Sequence, residues 1–338
     1  MTSHFFGPDA AIATAGVEVA GLEGRQVLLT GASGAVGIHL AAALRALAER
    51  GHDISLQAVL HSEPPPPLAA VFQHPCCRII HADLSDPSSR AGLPKADLVI
   101  HCAGYGQPGR FLESPLKTIR IHSDATCDLI DRLRPGGRLL FVSSTEVYTG
   151  LSGGMRYHEE QIGSTGPHHP RACYIEGKRC GEAACYAAFH SGIGAVAVRL
   201  AQTYGPGAKR DDRRALYSFI RQAITTKHIA LLDGGEAVRT YCYAADAAGM
   251  MLKVLLQGTQ PVYNVGGTTA IRIREVAEKV ASLLDATVSL PATPQPSAGA
   301  SESVMIDTSR YDGEFGAASC VDFDTGLRRT VEWHTHIA

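Results

Sequence analysis

The chain has 338 residues, 31 Lys plus Arg against 33 Asp plus Glu, and a formal net charge of −2. So balanced a charge gives no basic footprint for nucleic acid or an acidic membrane surface, and no apolar run approaches the roughly 20 residues that cross a bilayer. Nine cysteines without metal-ligand spacing, behind an opening segment that carries Asp9 and Glu18 and no basic stretch, make reduced thiols in a cytoplasm the expectation, with no bound metal.

Residues 1–23, rich in Ala and Gly with weak periodicity, read as an N-terminal extension, a short helix packed on the domain. Then comes Val27-Leu28-Leu29-Thr30-Gly31-Ala32-Ser33-Gly34-Ala35-Val36-Gly37, followed by an apolar helix at 39–47. This is strand, glycine turn and helix. Glycine at Gly31, Gly34 and Gly37 permits a tight turn and lets backbone N–H groups and the helix N-terminus approach a pyrophosphate. The turn therefore predicts a dinucleotide site lined by Gly31, Ser33, Gly34, Ala35, Val36 and Gly37.

Apolar runs at 54–60, 78–81, 96–101, 139–143 and 195–200 alternate with helical segments, notably 116–133. Such alternation implies an α/β fold with a doubly wound parallel sheet and a ligand crevice at the strands' C-terminal ends. Those ends add His61, Asp83, Leu84, Cys102, Ala103 and Gly104 to the expected cofactor wall. No aspartate closes the second strand, yet no Lys or Arg lies between Gly51 and Arg78 to neutralise a 2′-phosphate. NAD rather than NADP is the expectation. Pro64 to Pro67 reads as a stiff extended surface loop.

The fifth strand ends in Ser144-Thr145-Glu146, and Tyr174 and Lys178 lie one turn apart on a later helix. A hydroxyl, a phenol and an ammonium converging on one point form a proton-transfer device. Lys178 lowers the pKa of Tyr174, and Ser144 holds the hydroxyl that Tyr174 deprotonates. Glu146, two residues past Ser144 on an extended strand end, projects to the same side; the bland alternative is an exposed acid in a turn.

Beyond Lys178, Tyr204-Gly205-Pro206-Gly207 breaks the chain, and Lys209 to Arg214 form a mixed-charge run that by spacing alone reads as a solvated face. A strand-turn at 231–236, a helix at 245–256 and a strand at 262–267 follow. An amphipathic helix at 273–284 carries Val276, Val280, Leu283 and Leu284 on one face. A Pro/Ser/Ala linker at 291–300 precedes a C-terminal helix at 327–336, whose His334 and His336 read as surface residues. The expected organisation is an extension (1–23), a dinucleotide-binding Rossmann domain (24–203) and a smaller C-terminal α/β substrate lobe (204–338) that returns segments to the main sheet. The helix from Leu116 and a small-residue face of Ala172, Cys173, Cys180, Ala183, Ala184, Ala187 and Ala188 predict a homodimer.

From Val27 to Trp333 the pattern resembles an extended short-chain dehydrogenase/reductase acting on nucleotide sugars, and within that superfamily the UDP-glucuronate decarboxylase group. Arg171-Ala172-Cys173-Tyr174-Ile175-Glu176-Gly177-Lys178-Arg179 is close to R-[AS]-C-Y-D-E-G-K-R. Tyr204-Gly205-Pro206-Gly207 with Asp211-Asp212-Arg213-Arg214 resembles Y-G-P-x-M-x-x-D-D-G-R. Arg239-Thr240-Tyr241 is similar to the R-[ST]-F that sets an arginine on the substrate pyrophosphate, and Tyr263-Asn264-Val265-Gly266 to Y-N-[IL]-G.

The resemblance implies transient oxidation of a sugar at carbon 4 by bound NAD, with Tyr174 as phenolate base and Ser144 on the reacting oxygen. It makes Glu146 an acid/base near carbon 5 and Thr145 an orienting group. Gln202, Lys209, Arg214 and Arg239 would bind the nucleotide sugar, a UDP-sugar before others. Three departures stand out: His122 occupies the asparagine place of T-N-V-x-G-T, Gln202 that of an Asn, and Phe111 that of a tyrosine. Decarboxylation of a uronate is the leading outcome, with 4-epimerisation and 4,6-dehydration as alternatives. A non-catalytic dinucleotide sensor is the reading of another class, disfavoured by an intact Ser144, Tyr174 and Lys178.

Overall fold

Seven parallel strands carry the molecule, and most of their residues are buried on both faces, as a sheet covered by helices on each side requires. The computed structural model describes residues 2–151, 155–294 and 303–337. Its strands in chain order begin β1 (Arg25–Thr30), β2 (Ile54–Leu60), β3 (Cys77–His81), β4 (Ala96–His101) and β5 (Leu133–Ser144). They continue with β6 (Arg156–Tyr157), β7 (Gly194–Leu200), β8 (Gln202–Tyr204), β9 (His228–Ala230), β10 (Val238–Tyr243) and β11 (Val262–Val265). The main sheet has the order β11-β7-β5-β4-β1-β2-β3. The chain starts in the middle at β1, moves outward to β3, then crosses back to β4. The point where strand order reverses lies between β1 and β4, where a ligand crevice opens in such sheets.

The helices are α1 (Thr2–Thr14), α2 (Gly37–Glu49), α3 (Pro66–Ala69), α4 (Pro87–Ala91), α5 (Pro108–Glu113), α6 (Pro115–His122) and α7 (Asp124–Ile130), then α8 (Ala172–His190), α9 (Ala215–Thr226), α10 (Ala244–Gln257), α11 (Ile273–Leu284), α12 (Ser309–Phe315) and α13 (Phe323–His336). Strand alternation sorts the core. Val27 and Leu29 face a cluster with Leu40, Leu44 and Met251, whereas Leu28 between them packs with Leu129, Phe141 and Cys185. A second, smaller core gathers Tyr217, Ile220, Val276, Val280 and Leu327 beside a three-stranded sheet of β8, β10 and β12 (Thr269–Arg272).

Several expectations change. The helix foreseen at 116–133 breaks at Ser123 into α6 and α7, and β5 starts at Leu133 rather than 139. The strand foreseen at 231–236 lies earlier, at β9. Pro65 is extended, but Pro66 opens a helical turn, because proline's fixed φ suits a first helical position. Leu283 faces outward at 42% exposure, and Ala277 and Ala281 take the inner face of α11 instead. His334 is buried against the Tyr217 ring, 5.2 Å between centroids, so it is not a surface residue. Most of the linker, 295–300, lies outside the described residues.

The N-terminal segment is integral to the core. Phe5, Phe6 and Asp9 are buried, and α1 packs on α2 and α10. Asp9 accepts from Tyr243 Oη at 3.0 Å and from Arg329 at 2.6 Å. Among the described residues no helix is long and apolar enough to cross a membrane, and all nine cysteines are free thiols.

Candidate active site

Two sets of groups meet at the crevice: a glycine turn on the side of β1, and the ends of β5 and α8 opposite it. In the turn, Gly31 has φ +67, and a Cβ there would come 2.7 Å from the Ala103 nitrogen. A Cβ on Gly37 would lie 2.2 Å from the Gly31 carbonyl oxygen. Side chains are excluded at both positions, so the loop folds back tightly and α2 begins against it. Ser33, Gly34, Ala35 and Val36 stay partly open to solvent. This is the open backbone cradle that a pyrophosphate requires, and the residues present fit a dinucleotide.

The remaining cofactor residues lie around the same edge. Cys102 donates its N–H to Thr30 O at 3.1 Å, and burial pushes its thiol up to about 12. Ala103 donates to Thr30 Oγ1, and Gly104 leaves the sheet at φ +150. Leu84 is buried. Partial burial opposes the ionised form of Asp83, yet hydrogen bonds from the Ser85 hydroxyl and N–H and from Lys117 outweigh it and hold the carboxyl at about 2. Its oxygens are thus already engaged. His61 is exposed, and the neighbouring Glu63 pairs with His81 at 3.0 Å.

Tyr174 and Lys178 are buried one turn apart on α8. The Tyr174 ring stacks on Phe111, centroids 4.8 Å apart and planes at 16°. Burial pushes the phenol up to about 12; a hydrogen bond with Ser144 opposes that, Glu146 adds to it, and Arg214 and Arg171 oppose it. The ammonium of Lys178, the group expected to tune this phenol, lies 5.7 Å from the Tyr174 ring centroid and donates to Val142 O at 2.6 Å. Burial pushes Lys178 itself down to about 7.

The strand end differs from the extended form assumed for Glu146. Residues Thr145–Tyr148 make a 3₁₀ turn, and the Glu146 N–H donates to Ser144 Oγ at 3.2 Å. Glu146 reaches the site through this turn, so the alternation argument does not apply. Arg171, itself buried, donates to Glu146 Oε1 at 2.8 Å, while Oε2 is buried without a partner among the described residues. The turn is held from below. Tyr148 Oη donates to Asn264 Oδ1 at 2.7 Å and accepts from Arg199, which also bridges Glu182 and the carbonyls of Glu159 and Gln161. Asn264 of the Tyr263-Asn264-Val265-Gly266 string therefore acts as a clamp for the turn.

The charged run divides. Arg210, Asp211 and Arg213 are exposed, whereas Asp212 is buried and binds Arg214 at 2.8 Å. Arg214 also reaches Thr203 O and covers the Tyr217 ring at 4.9 Å. Lys209 and Gln202 are half-buried, the latter paired with Tyr241 in the small sheet. Arg239 is half-buried and feels the Glu146 charge, with burial the larger influence in disfavouring its protonated form.

Ser144, Glu146, Tyr174 and Arg214 are thus brought together, with Arg239 near enough to feel the charges of both Glu146 and Arg171. Thr145 is buried beside them. Sequence reasoning gave Arg171 and His122 no role, although both stood in quoted motifs. Nothing in their spacing signals a buried ion pair or an imidazole lacking partners.

The family model described as NAD dependent epimerase/dehydratase family matches residues 27–266. UDP-glucuronic acid decarboxylase 1 of Xenopus tropicalis is 27% identical over 265 residues, covering 77% of this chain. The chain spans 60% of that relative's length. Two solved structures share the fold. One is the dTDP-glucose 4,6-dehydratase DesIV from Streptomyces venezuelae with NAD and TYD bound, with a TM-score of 0.79, 22% identity and coverage of 92% of this chain and 97% of that one. The other is the UDP-glucuronic acid 4-epimerase from Bacillus cereus in complex with UDP-glucuronic acid and NAD, with a TM-score of 0.77, 19% identity and coverage of 93% and 100%.

Proposed function

The chain belongs to the NAD-dependent epimerase/dehydratase family, and on that premise we propose that it oxidises a nucleotide sugar at carbon 4 and decarboxylates it, acting on a UDP-uronate. The observation that carries the reading is Glu146. It is held by Arg171 at 2.8 Å on the turn that follows Ser144, with one carboxylate oxygen buried and without a partner among the described residues. Oxidation with return to the opposite face needs no group of this kind. Chemistry at carbon 5 does.

NAD, when bound against Gly31, Ser33, Gly34, Ala35, Val36 and Gly37, supplies the hydride acceptor and later the donor. Tyr174 takes the proton of the carbon-4 hydroxyl, and Ser144 orients that oxygen. A 4-keto uronate is a β-keto acid. It releases carbon dioxide and leaves an enolate across carbons 4 and 5, which takes up a solvent proton at carbon 5, relayed by the Glu146 carboxyl. Thr145 orients that turn. Arg239, Arg214 and Lys209 bind the nucleotide sugar from the lobe at 204–338, opposite the dinucleotide domain at 24–203, which contributes Gln202 from its end. The named relatives support a uronate substrate. Exposed Leu116, Cys180, Ala183 and Ala187 support a homodimer through α6 and α8, and nine free thiols accord with a reducing cytoplasm.

Incubation with UDP-glucuronate in deuterium oxide tests the reading. The expected product is a UDP-pentose carrying one deuterium at carbon 5, with release of carbon dioxide. A product that keeps all six carbons and no deuterium would establish 4-epimerisation instead.

A further inference from the structure

The chain leaves β8 through Gly205, Pro206, Gly207 and Ala208 and so enters the run that carries Lys209 and Arg214. Three helices close on this root. A carbonyl can only accept, so His39 of α2 donates from Nε2 to Pro206 O, at 2.9 Å. Trp333 of α13 donates from Nε1 to the carbonyl of buried Ala208, also at 2.9 Å. Between them Gly207 has φ +92, and a Cβ there would fall 2.7 Å from Ile38 Cγ2 and 3.3 Å from the Phe6 ring. The backbone runs directly against α1 and α2, in a conformation that a side chain would oppose.

Phe6 joins the two donors. Its buried ring stands edge-on to His39, centroids 5.4 Å apart, and to Trp333 at 5.7 Å, while Phe5 packs on Trp333 from another side at 5.2 Å. Arg329 ties α1 to α13, donating to Asp9 at 2.6 Å and to Phe5 O at 3.0 Å. Asp9 also accepts from Tyr243, which lies beside Tyr204 in the small sheet, one residue before the root. Both α1 and α13 lie outside the residues 27–266 that the family model matches. The grip on this loop therefore comes from parts of the chain beyond that match.

The arm then closes on itself. Arg214 pairs with buried Asp212 and reaches back to Thr203 O at 3.3 Å, so the placement of the root sets the placement of a guanidinium that favours the Tyr174 phenolate. The outer rim holds by less. Arg110 pairs with Asp211 at 2.5 Å and the Arg213 N–H donates to Gln107 Oε1 at 3.3 Å, both in exposed positions where such contacts contribute little. The buried root decides where the arm rests.

We propose that Phe6 and Trp333 are positioning residues of the nucleotide-sugar site: with His39 they clamp residues 205–208, so that the arm ending in Arg214 is held where the sugar meets Tyr174. Neither touches the substrate, and through Phe6 the N-terminal helix becomes part of the site's support. The proposal rests on the reading of this arm as a nucleotide-sugar contact.

The test is hydrogen–deuterium exchange of the whole nucleotide-free protein, read by mass spectrometry, with binding and rate measurements beside it. Trp333→Phe keeps a ring against Phe5 and Phe6 and removes only the donor to Ala208 O. The stranded carbonyl should turn to water, and amide exchange over 205–214 should rise about tenfold while β1 and α2 exchange as in wild type. Phe6→Leu, on α1, should give the same local rise. Both should weaken UDP binding about fivefold and hold NAD affinity within about twofold. Both should also move the ascending limb of kcat/KM to higher pH, because Arg214 withdraws from the phenolate it favours. Val280→Ala, in the separate core of the small lobe, should lower the melting temperature and move none of these readings. Wild-type exchange over 205–214 in both clamp variants, an equal rise in Val280→Ala, or unaltered UDP affinity in both would overturn the proposal. If one clamp variant does not fold, the other decides alone. A wild type that binds no UDP or UDP-sugar would refute the nucleotide-sugar reading, and a selective rise over 205–214 would then still establish the clamp.

Discussion

Replacing Lys178 with methionine removes a buried ammonium and keeps most of its stem. Lys178 has no acidic partner within ion-pair distance among the described residues, and its single hydrogen bond goes to Val142 O. Burial lowers its pKa from 10.5 to about 7, which sets about 5 kcal/mol against the charged form at acid pH. Between those two values the unfolded chain still binds the proton that the folded chain has released, so stability rises with pH through that window, and below pH 7 the full penalty applies. Against this, Lys178→Met strands a buried carbonyl oxygen, at a cost of about 1–3 kcal/mol. Nucleotide-free Lys178→Met should therefore be more stable than wild type by about 2–4 kcal/mol at pH 6. The gap should close by about 1.4 kcal/mol for each pH step above 7. Urea unfolding of both proteins from pH 6 to 9 reads this directly. Parallel stability curves for the two would refute the buried-ammonium argument, whatever the effect on turnover.

Tyr174→Phe should lower kcat by about 10²–10⁴-fold and leave NAD and UDP affinity within about twofold, because the ring stacked on Phe111 is retained and only the transferable proton is lost; stopped-flow turnover and calorimetric titration check it. Arg239→Ala should weaken UDP binding by roughly 1.5–3 kcal/mol, about 10- to 150-fold, with NAD affinity unchanged; an unchanged affinity for UDP would remove Arg239 from the nucleotide-sugar site. Light scattering should give a dimer mass, and Ala183→Arg, on the exposed face of α8, should give a monomer.

Strand–helix alternation and the glycine turn made the main sheet legible, because period and turn chemistry are local properties. The N-terminal helix was harder to place. Asp9 sits in a run of small residues, and its partners Tyr243 and Arg329 come from the far end of the chain. No local pattern announces a contact across 320 residues. The same holds for His334, whose neighbour Tyr217 arrives on another helix.

The site shows the limit of spacing in another way. Tyr-x-x-x-Lys fixes that two side chains share a helix face, and α8 places them so. Whether an ammonium lowers a nearby phenol's pKa depends on what else the two groups touch and on how dry the pocket is. Phe111, Phe141 and His122 wall off Tyr174 and Lys178, so burial dominates both: the phenol rises to about 12 and the ammonium falls to about 7. The groups that favour the phenolate are Ser144, Arg214 and Arg171, each from a different part of the chain. Arg171 also binds Glu146, whose charge favours the neutral phenol. A substrate that draws Arg214 or Arg171 away would therefore weaken Tyr174 as a base. One that neutralises Glu146 would strengthen it. In the proposed reaction, proton transfer at carbon 4 and at carbon 5 would thus be electrostatically linked through Arg171, a coupling that depends on the turn at 145–148 and not on the motif alone.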